Sequence, residues 1–198
     1  MKKSLLAIAL VAAFATSCGE KKQDTKDVQD NAKTEQVAEA NYTYGLEWTA
    51  FKTPGKVGVK GQFKDIKLID ANASAATVTE GLSDAKFVVV TSSVFTNDAG
   101  RDEKLKMEFF AKMLGNINGY FGEFKDGKVV VNITMNGISK EKEFSYEEKD
   151  GVLKLNGAID ILADFSANTA FDSLHEACKD LHEGKTWSDV ELSIEIKK

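Results

Sequence analysis

The fold class is decided by the stretch Val190-Glu191-Leu192-Ser193-Ile194-Glu195-Ile196, close to the end of the chain. Apolar and polar side chains alternate strictly in this stretch, which is typical of a β-strand with one buried face. The same alternation predicts further strands at residues 44–49, 56–64, 129–135 and 153–161, and two more strands are predicted at residues 67–78 and 87–91. We therefore predict an all-β domain.

Short turns join several of these strands. Asp126-Gly127 and Asp150-Gly151 are dipeptides typical of β-hairpins, and Asn136-Gly137 predicts either a turn or a bulge. Every strand has one apolar face, and no long strand edge is specially guarded. We therefore predict a closed antiparallel barrel, with a sandwich as the alternative.

Two stretches break the alternation and predict short inserted helices at residues 102–114 and 170–181. In each stretch apolar side chains recur at helical spacing. They are Leu105, Phe109, Phe110 and Met113 in the first, and Phe171, Leu174, Cys178 and Leu181 in the second. Thr169, followed three residues later by Asp172, predicts a capping box at the start of the second helix.

The first residues have the pattern of an export signal. Lys2 and Lys3 precede an apolar run and a small-residue cleavage site, so we predict a signal peptide over residues 1–17. Cys18 follows, and the site resembles the lipobox of bacterial lipoproteins, which implies a lipidated cysteine; an ordinary periplasmic protein cut elsewhere is the alternative. Residues 18–41 predict a disordered tether. The remaining residues, 42–198, have the size of one domain.

Charge and cysteine content limit the partners and the chemistry. The net charge is −5 and there is no basic stripe, so we expect no nucleic-acid partner. If Cys18 is lipidated, Cys178 has no partner for an intramolecular disulfide. The stability of the domain must then come from its hydrophobic core, without a disulfide. His175 and His182 are the two histidines of the chain, and no catalytic constellation stands out. We expect no enzyme activity and no cofactor.

Three groups of polar residues allow a functional interpretation beside a structural one. His175, Cys178 and His182 could bind Zn or Cu, but one straight helix separates the outer two by about 10 Å, and Cys178 continues an apolar stripe. We therefore predict no metal site. Asp160 with Asp164 is predicted to be a solvated strand-end and turn pair. Arg101-Asp102 is predicted to be a helix-start ion pair or cap rather than an anion clamp.

Four motifs in order resemble those of the YceI-like family. The run from Ser92 to Leu105, continuing to Phe109-Phe110, is similar to the family's "S-I-x-T…R-D-x-H-L-x…D-F-F" pattern, although Lys104 replaces its histidine. The other three motifs are Trp48 with Gly61-Gln62-Phe63, Asn136-Gly137-Ile138-Ser139-Lys140, and Asp164-Phe165-Ser166. The segment 116–124 lacks the proline of the family's corresponding strand. The tail from Phe171 to Val190 resembles a Bacteroidetes lipoprotein branch.

The resemblance implies an eight-stranded antiparallel lipocalin-like β-barrel with two short inserted helices, which holds a polyisoprenoid or similar lipid. We expect an envelope lipoprotein, anchored through its N-terminal lipid to the outer membrane and facing the periplasm or the cell surface. A filled-core module for envelope or stress interactions is the alternative, and a homodimer is left open. The candidate ligand-binding residues are aromatic: Trp48, Phe63, Phe87, Phe109, Phe110, Phe121 and Phe124.

Overall fold

A computed structural model of the chain describes residues 42–198. The predicted signal peptide, the lipidated Cys18 and the tether that ends at residue 41 lie outside the described residues. Within residues 42–198, no helix is both long enough and apolar enough to cross a membrane.

The described residues form ten strands in one sheet, with three short α-helices between them. The strands are β1 (Thr43–Lys52), β2 (Val57–Phe63), β3 (Ile66–Ile69), β4 (Lys86–Val89), β5 (Val94–Phe95), β6 (Ile117–Lys125), β7 (Lys128–Met135), β8 (Ile138–Lys149), β9 (Val152–Asp160) and β10 (Thr186–Lys197). The helices are α1 (Val78–Leu82), α2 (Ala99–Lys104) and α3 (Asn168–Cys178). The order in the sheet is β3-β4-β6-β7-β8-β9-β10-β1-β2-β5.

Every pair of neighbouring strands in this order is antiparallel, so the predicted all-β antiparallel class is confirmed. The alternating stretches lie in β1, β2, β7, β9 and β10. In β7, for example, Val129, Val131, Ile133 and Met135 are all buried, as their alternation predicts.

The predicted count of eight strands is not confirmed, because two long extended segments are each broken in two. Only Lys64 and Asp65 separate β2 from β3, and residues 90–93, with a turn of 3-10 helix, separate β4 from β5. The two breaks bond to each other: Lys64 N–H donates to Ser93 O at 3.1 Å and Val90 N–H donates to Asp65 O at 3.0 Å. The first two strands of the sheet order, β3 and β4, are thus continuous in the chain with the last two, β2 and β5. The sheet must therefore curl so that its two ends come together.

The predicted hairpin turns are confirmed. Asp126-Gly127, Asn136-Gly137 and Asp150-Gly151 join β6 to β7, β7 to β8 and β8 to β9. Both residues of each turn have positive φ, between 51° and 74°. This is the conformation of type I′ turns, whose twist matches that of the flanking strands. Asn136-Gly137 is therefore a turn and not a bulge.

The segment around α1 differs from the prediction. The strand predicted over residues 67–78 ends at Ile69, and the strand predicted over residues 87–91 ends at Val89. Val78 instead begins α1, because Thr77 and Glu80 form a capping box in which Glu80 N–H donates to Thr77 Oγ1 at 3.1 Å. A helix of five residues is too short to show a helical period in the sequence.

The two predicted helices exist with shifted bounds. Helix α2 begins at Ala99, where the Asp98 carboxylate accepts a hydrogen bond from Arg101 N–H at 3.0 Å. It continues as a wider π-helical turn and then a 3-10 turn, to Lys112. Helix α3 begins at Asn168 without a side-chain cap, so the capping box predicted from Thr169 and Asp172 is wrong.

Candidate ligand cavity

A cavity of about 630 Å³ lies against the inner face of the curled sheet. Nine of the ten described strands, all except β5, contribute lining residues, together with α2 and α3. Its size falls within the range of about 300–1,000 Å³ that is usual for small-molecule sites. The lining is mostly aliphatic and aromatic, so the cavity suits an apolar ligand.

Glycines on neighbouring strands keep two aromatic rings close to the cavity wall. Trp48 pairs with Gly61, and Phe87 pairs with Gly119. A Cβ atom at either glycine would overlap the ring of its partner. Because no side chain projects there, each ring lies over the neighbouring strand rather than across the interior. This arrangement leaves space in the middle of the sheet's curl.

Six of the seven predicted aromatic residues line the cavity. They are Trp48, Phe63, Phe87, Phe109, Phe110 and Phe121. Phe124 does not line it, although a bulge in β6 between Phe121 and Phe124 places Phe124 opposite Val129, on the same face of the sheet as Phe121. The Phe124 ring instead packs against Phe121 at 6.0 Å and Tyr146 at 5.2 Å, measured between ring centroids. A role of these residues in ligand binding stays a prediction.

Two consecutive aromatic residues reach the cavity at a change of helix type. Phe109 ends the π-helical turn and Phe110 begins the 3-10 turn, and both line the cavity. Phe110 meets Phe109 at 5.0 Å and Phe63 at 5.6 Å, both edge to face.

The aliphatic part of the wall was not among the predicted site residues. Much of it comes from the inner face of β10, and the contributing residues are Val190, Leu192, Ile194 and Ile196. The alternation in the sequence indicates that these side chains face inward. It does not indicate whether they fill the interior or border a space, since both arrangements have the same pattern.

Polar side chains border the cavity near α2, the end of α3 and the adjoining strand ends. They include Lys52, Asp98, Arg101, Lys104, His182 and Thr186. Exposed lining residues at α2 and the segment that follows α3 are Asp98, Gly100, Lys104 and Leu181. We call this region, with Lys52, Arg101 and His182, the mouth of the cavity.

The two histidines, His175 in α3 and His182 just after it, both contact a threonine side chain. The Nδ1 atoms of His175 and His182 each lie 3.0 Å from Thr186 Oγ1. Cys178 is buried and lines the cavity as a free thiol. Within residues 42–198, no three His, Cys, Asp or Glu side chains are placed to hold a metal ion. Burial lowers the pKa of His182, and the charges of Lys52, His175 and Lys104 lower it further.

Asp160 and Asp164 stabilise the turn after β9. Asp160 Oδ1 accepts hydrogen bonds from the backbone N–H groups of Leu162 and Ala163, at 2.9 and 2.8 Å. Asp164 Oδ2 accepts from Asp160 N–H at 2.8 Å and from Lys142 Nζ at 2.7 Å. The predicted turn pair is therefore present, but the Asp164 side chain is only 17% exposed and not fully in water. Burial raises the pKa of Asp164, and these two donors outweigh burial and hold it below its usual value.

Arg101 and Asp102 do not pair with each other. Asp102 is buried, and its Oδ1 accepts from the backbone N–H and the hydroxyl of Thr96, at 2.7 and 2.6 Å. Arg101 lies 3.5 Å from the Asp98 carboxylate, which is the N-cap of α2. The helix-start role is thus carried by Asp98 and Asp102, and Arg101 lines the cavity.

No protein-family model and no curated protein sequence matches the chain. Among solved structures, a polyisoprenoid binding domain from Saccharophagus degradans is 13% identical, with a TM-score of 0.54 over 77% of this chain and 91% of that chain. BcnA from Burkholderia cenocepacia is 12% identical, with a TM-score of 0.50 over 77% and 94%. A YceI protein from Campylobacter jejuni is 25% identical, with a TM-score of 0.48 over 70% and 83%.

The first two likenesses establish the fold. The chain shares the curled antiparallel sheet of these proteins across most of their length. The all-β, antiparallel curled sheet that the YceI-like resemblance implies is therefore confirmed, whereas its closure into an eight-stranded barrel is not.

Proposed function

We propose that this chain is an envelope lipoprotein of the YceI-like type, and that it holds a long hydrophobic chain, a polyisoprenoid or an acyl lipid, without turning it over. The observation that carries this proposal is the cavity of about 630 Å³, whose wall is mostly apolar. Filling such a space with an apolar chain removes the apolar surfaces of both the ligand and the cavity wall from water. Each buried methylene contributes about 0.8 kcal/mol to the free energy of binding.

The hollow interior supports carriage over the alternative, a filled-core interaction module. A filled barrel has side chains from opposite strands in contact across its centre. Here Trp48 and Phe87 lie over glycines of the adjacent strands, and the centre is left open. The similar domain from Saccharophagus degradans is described as polyisoprenoid-binding, which favours the same ligand class for this cavity.

The polar groups of the described domain support a binding role without catalysis. The carboxylates of Asp160 and Asp164 accept hydrogen bonds within a turn, and the carboxylate of Asp102 accepts hydrogen bonds from Thr96. Both histidines face the Thr186 hydroxyl, and no carboxylate among the described residues bonds to either ring. We propose that Cys18 carries the lipid anchor and that the outer membrane is the location.

The first test is native mass spectrometry of the domain, residues 42–198, purified without detergent. We expect a co-purified lipid mass, or uptake of one equivalent of geranylgeraniol, a neutral isoprenoid alcohol. A protein that carries no lipid and takes up neither geranylgeraniol nor palmitate would contradict the proposal, and the filled-core module would replace it.

The second test is a charge placed on the wall. Phe63 lines the cavity in β2, so Phe63→Lys sets an ammonium group against the apolar chain. We expect at least about a tenfold loss of geranylgeraniol affinity, because an unpaired charge in an apolar site is costly. Val57→Lys is the matched control: it is in the same strand, 52% exposed and not part of the wall. Equal losses in both variants would contradict the proposed site.

A further inference from the structure

Strand β1 has a hydrogen-bonded neighbour on both sides along only part of its length. It pairs with β10 from Thr43 to Lys52, but with β2 only from Glu47 to Lys52. Strand β3, which follows β2 in the chain, pairs with β4 and, among residues 42–198, with no other strand. Residues 43–46 of β1 and the free edge of β3 are therefore not paired with each other. We call the space between them the lateral slit.

The lateral slit begins where the chain breaks at Lys64 and Asp65. Lys64 N–H donates to Ser93 O at 3.1 Å, and Asp65 N–H donates to Ser93 Oγ at 3.0 Å. Both bonds lie on the side of β4 and β5, away from β1. The chain after the break therefore continues the pairing with β4 and does not continue the pairing with β1.

The cavity wall is exposed to solvent at the lateral slit. The lining residues on its two sides are Tyr44 and Leu46 of β1, and Ile66 and Leu68 of β3. Tyr44 is 38% exposed, whereas Ile196, its partner in register on β10, also lines the cavity and is 2% exposed. The wall is thus open on the β3 side of β1 and covered on the β10 side.

The lateral slit lies far from the mouth of the cavity. Lys52, a residue of the mouth, ends β1, whereas Tyr44 is close to the start of this strand. At about 3.3 Å per residue, about 26 Å separate the two residues along the strand. The cavity therefore meets solvent at two places, near opposite ends of β1.

One side chain spans the lateral slit. The Tyr44 hydroxyl donates to the backbone carbonyl oxygen of Ile66 at 2.9 Å, and this bond is exposed. In the described part of the chain, no other hydrogen bond joins residues 43–46 to β3. Segments held by few and exposed hydrogen bonds open at a small cost in free energy, and elements that move to admit ligands are drawn from such segments.

We propose that the hydrophobic chain enters and leaves the cavity through the lateral slit, and that the Tyr44 side chain closes this entrance. The proposal rests on the proposed function, since it requires a chain to occupy the cavity. Rotation of one side chain uncovers the apolar wall at Leu46, Ile66 and Leu68. A long chain then enters sideways and does not have to slide along the whole length of the cavity from the mouth.

The first test removes the hydroxyl that spans the slit. Stopped-flow fluorescence of cis-parinaric acid, a fluorescent fatty acid, measures entry and exit rates on the chain without its predicted signal peptide and with Cys18→Ser. In Tyr44→Phe both rates should rise about two- to tenfold, the range expected for loss of one hydrogen bond. Loss of a wall contact alone would raise the exit rate and leave the entry rate unchanged, and this result would overturn the role of Tyr44. Tyr120→Phe is the control, because Tyr120 is exposed and does not line the cavity.

The second test holds the slit closed with a crosslink. Gly45→Cys and Lys67→Cys place thiols on the two strands that border it; a Cβ at Gly45 meets no atom within 4 Å, and Lys67 is exposed. In a Cys178→Ala background, a short bismaleimide with a disulfide in its spacer joins the two thiols. Both rates should then fall at least about tenfold, because closure blocks passage, and should recover when dithiothreitol cuts the spacer.

A second crosslink shows whether the effect belongs to the slit. Lys128→Cys with Ser145→Cys is the matched control, because these exposed residues pair in register across β7 and β8. The same linker should change neither rate there. Unchanged rates in the protein linked across the slit would overturn the inference alone, since the mouth would then be the entrance. A wild type that takes up neither cis-parinaric acid nor geranylgeraniol would overturn the proposed function as well.

Discussion

At residue scale, the missing side chain of Gly61 sets the position of the Trp48 ring. A Cβ at Gly61 would overlap the indole, which lies over the neighbouring strand. Trp48 Nε1 is the one buried side-chain polar atom of the described residues that has no hydrogen-bond partner. An unmet donor of this kind costs about 1–3 kcal/mol. Packing alone therefore holds the indole against the wall.

We predict that Gly61→Ala pushes the indole from the wall towards the cavity. The added methyl group overlaps the ring, and overpacking of this kind costs about 1–3 kcal/mol. The free energy of unfolding, measured by urea denaturation, should fall by this amount, and uptake of geranylgeraniol should weaken. Gly45→Ala in β1 is the control, because its Cβ would meet no atom within 4 Å. A control variant that loses as much stability would show that loss of glycine itself, and not the indole, is responsible.

The aromatic positions show how far residues can be predicted from the sequence. Alternation and the family resemblance select Trp48 and Phe63 as inward residues, and both line the cavity. Phe124 also faces inward, because a bulge in β6 places it opposite Val129, but its ring packs against Phe121 and Tyr146 and does not line the cavity. A register shift is a property of two strands, so the sequence of one strand does not contain it.

At the scale of elements, α1 depends on a residue far away in the sequence. Glu148 of β8 accepts hydrogen bonds from the backbone N–H groups of Val78 at 2.7 Å and Thr79 at 3.0 Å. Glu80 N–H donates to Thr77 Oγ1 in the capping box. The first three N–H groups of the helix are thus all satisfied, although the helix has only five residues.

We predict that Glu148→Gln destabilises the domain by about 1 kcal/mol at pH 7, because the amide keeps one acceptor oxygen and loses the negative charge. Burial raises the pKa of Glu148. Hydrogen bonds from the backbone N–H groups of Val78 and Thr79 and from the Thr79 hydroxyl outweigh burial and hold this pKa below its usual 4.5. A lowered pKa in the folded state gives stability that is present above the usual value. This stability is lost as the pH falls through the folded-state value.

The difference in the free energy of unfolding between wild type and Glu148→Gln should therefore have its full size above about pH 5 and shrink in more acidic solution. Urea denaturation at a series of pH values measures it. Glu147→Gln, one residue earlier, is the control, because Glu147 is exposed and makes no hydrogen bond to α1. A difference that stays constant down to pH values below the folded-state pKa would contradict the role of the charge.

The elements divide into those that local sequence determines and those that it does not. Alternation and Asp-Gly or Asn-Gly dipeptides predict β7, β9 and the hairpins that flank them, because both signals are local in the sequence. The breaks at Lys64–Asp65 and at residues 90–93 exist because they bond to each other. Helix α1 combines a local capping box, formed by Thr77 and Glu80, with hydrogen bonds to Glu148 of β8. The breaks and the contacts of Glu148 depend on the tertiary structure, so the sequence predicted unbroken strands instead.

At the scale of the whole molecule, the proposed function joins an apolar cavity to a membrane anchor. A chain-binding domain near a bilayer meets its ligand where lipids are concentrated. The cavity can be tested on the domain alone, whereas the anchor requires the full chain. The two parts of the proposal therefore fail independently.

We predict that Cys18→Ser abolishes lipid attachment and moves the protein from the membrane fraction to the soluble fraction or to an unprocessed precursor. A single acyl chain binds a membrane only marginally, at about 0.8 kcal/mol per buried methylene, and two or three chains anchor firmly. Loss of the one acceptor thiol at the predicted cleavage site should therefore release the protein. Cell fractionation and metabolic labelling with an alkyne fatty acid measure the two effects. Cys178→Ala is the matched control, because this thiol is buried in the cavity wall. It should stay membrane-bound and labelled, and a Cys18→Ser protein that does the same would show that the anchor lies elsewhere.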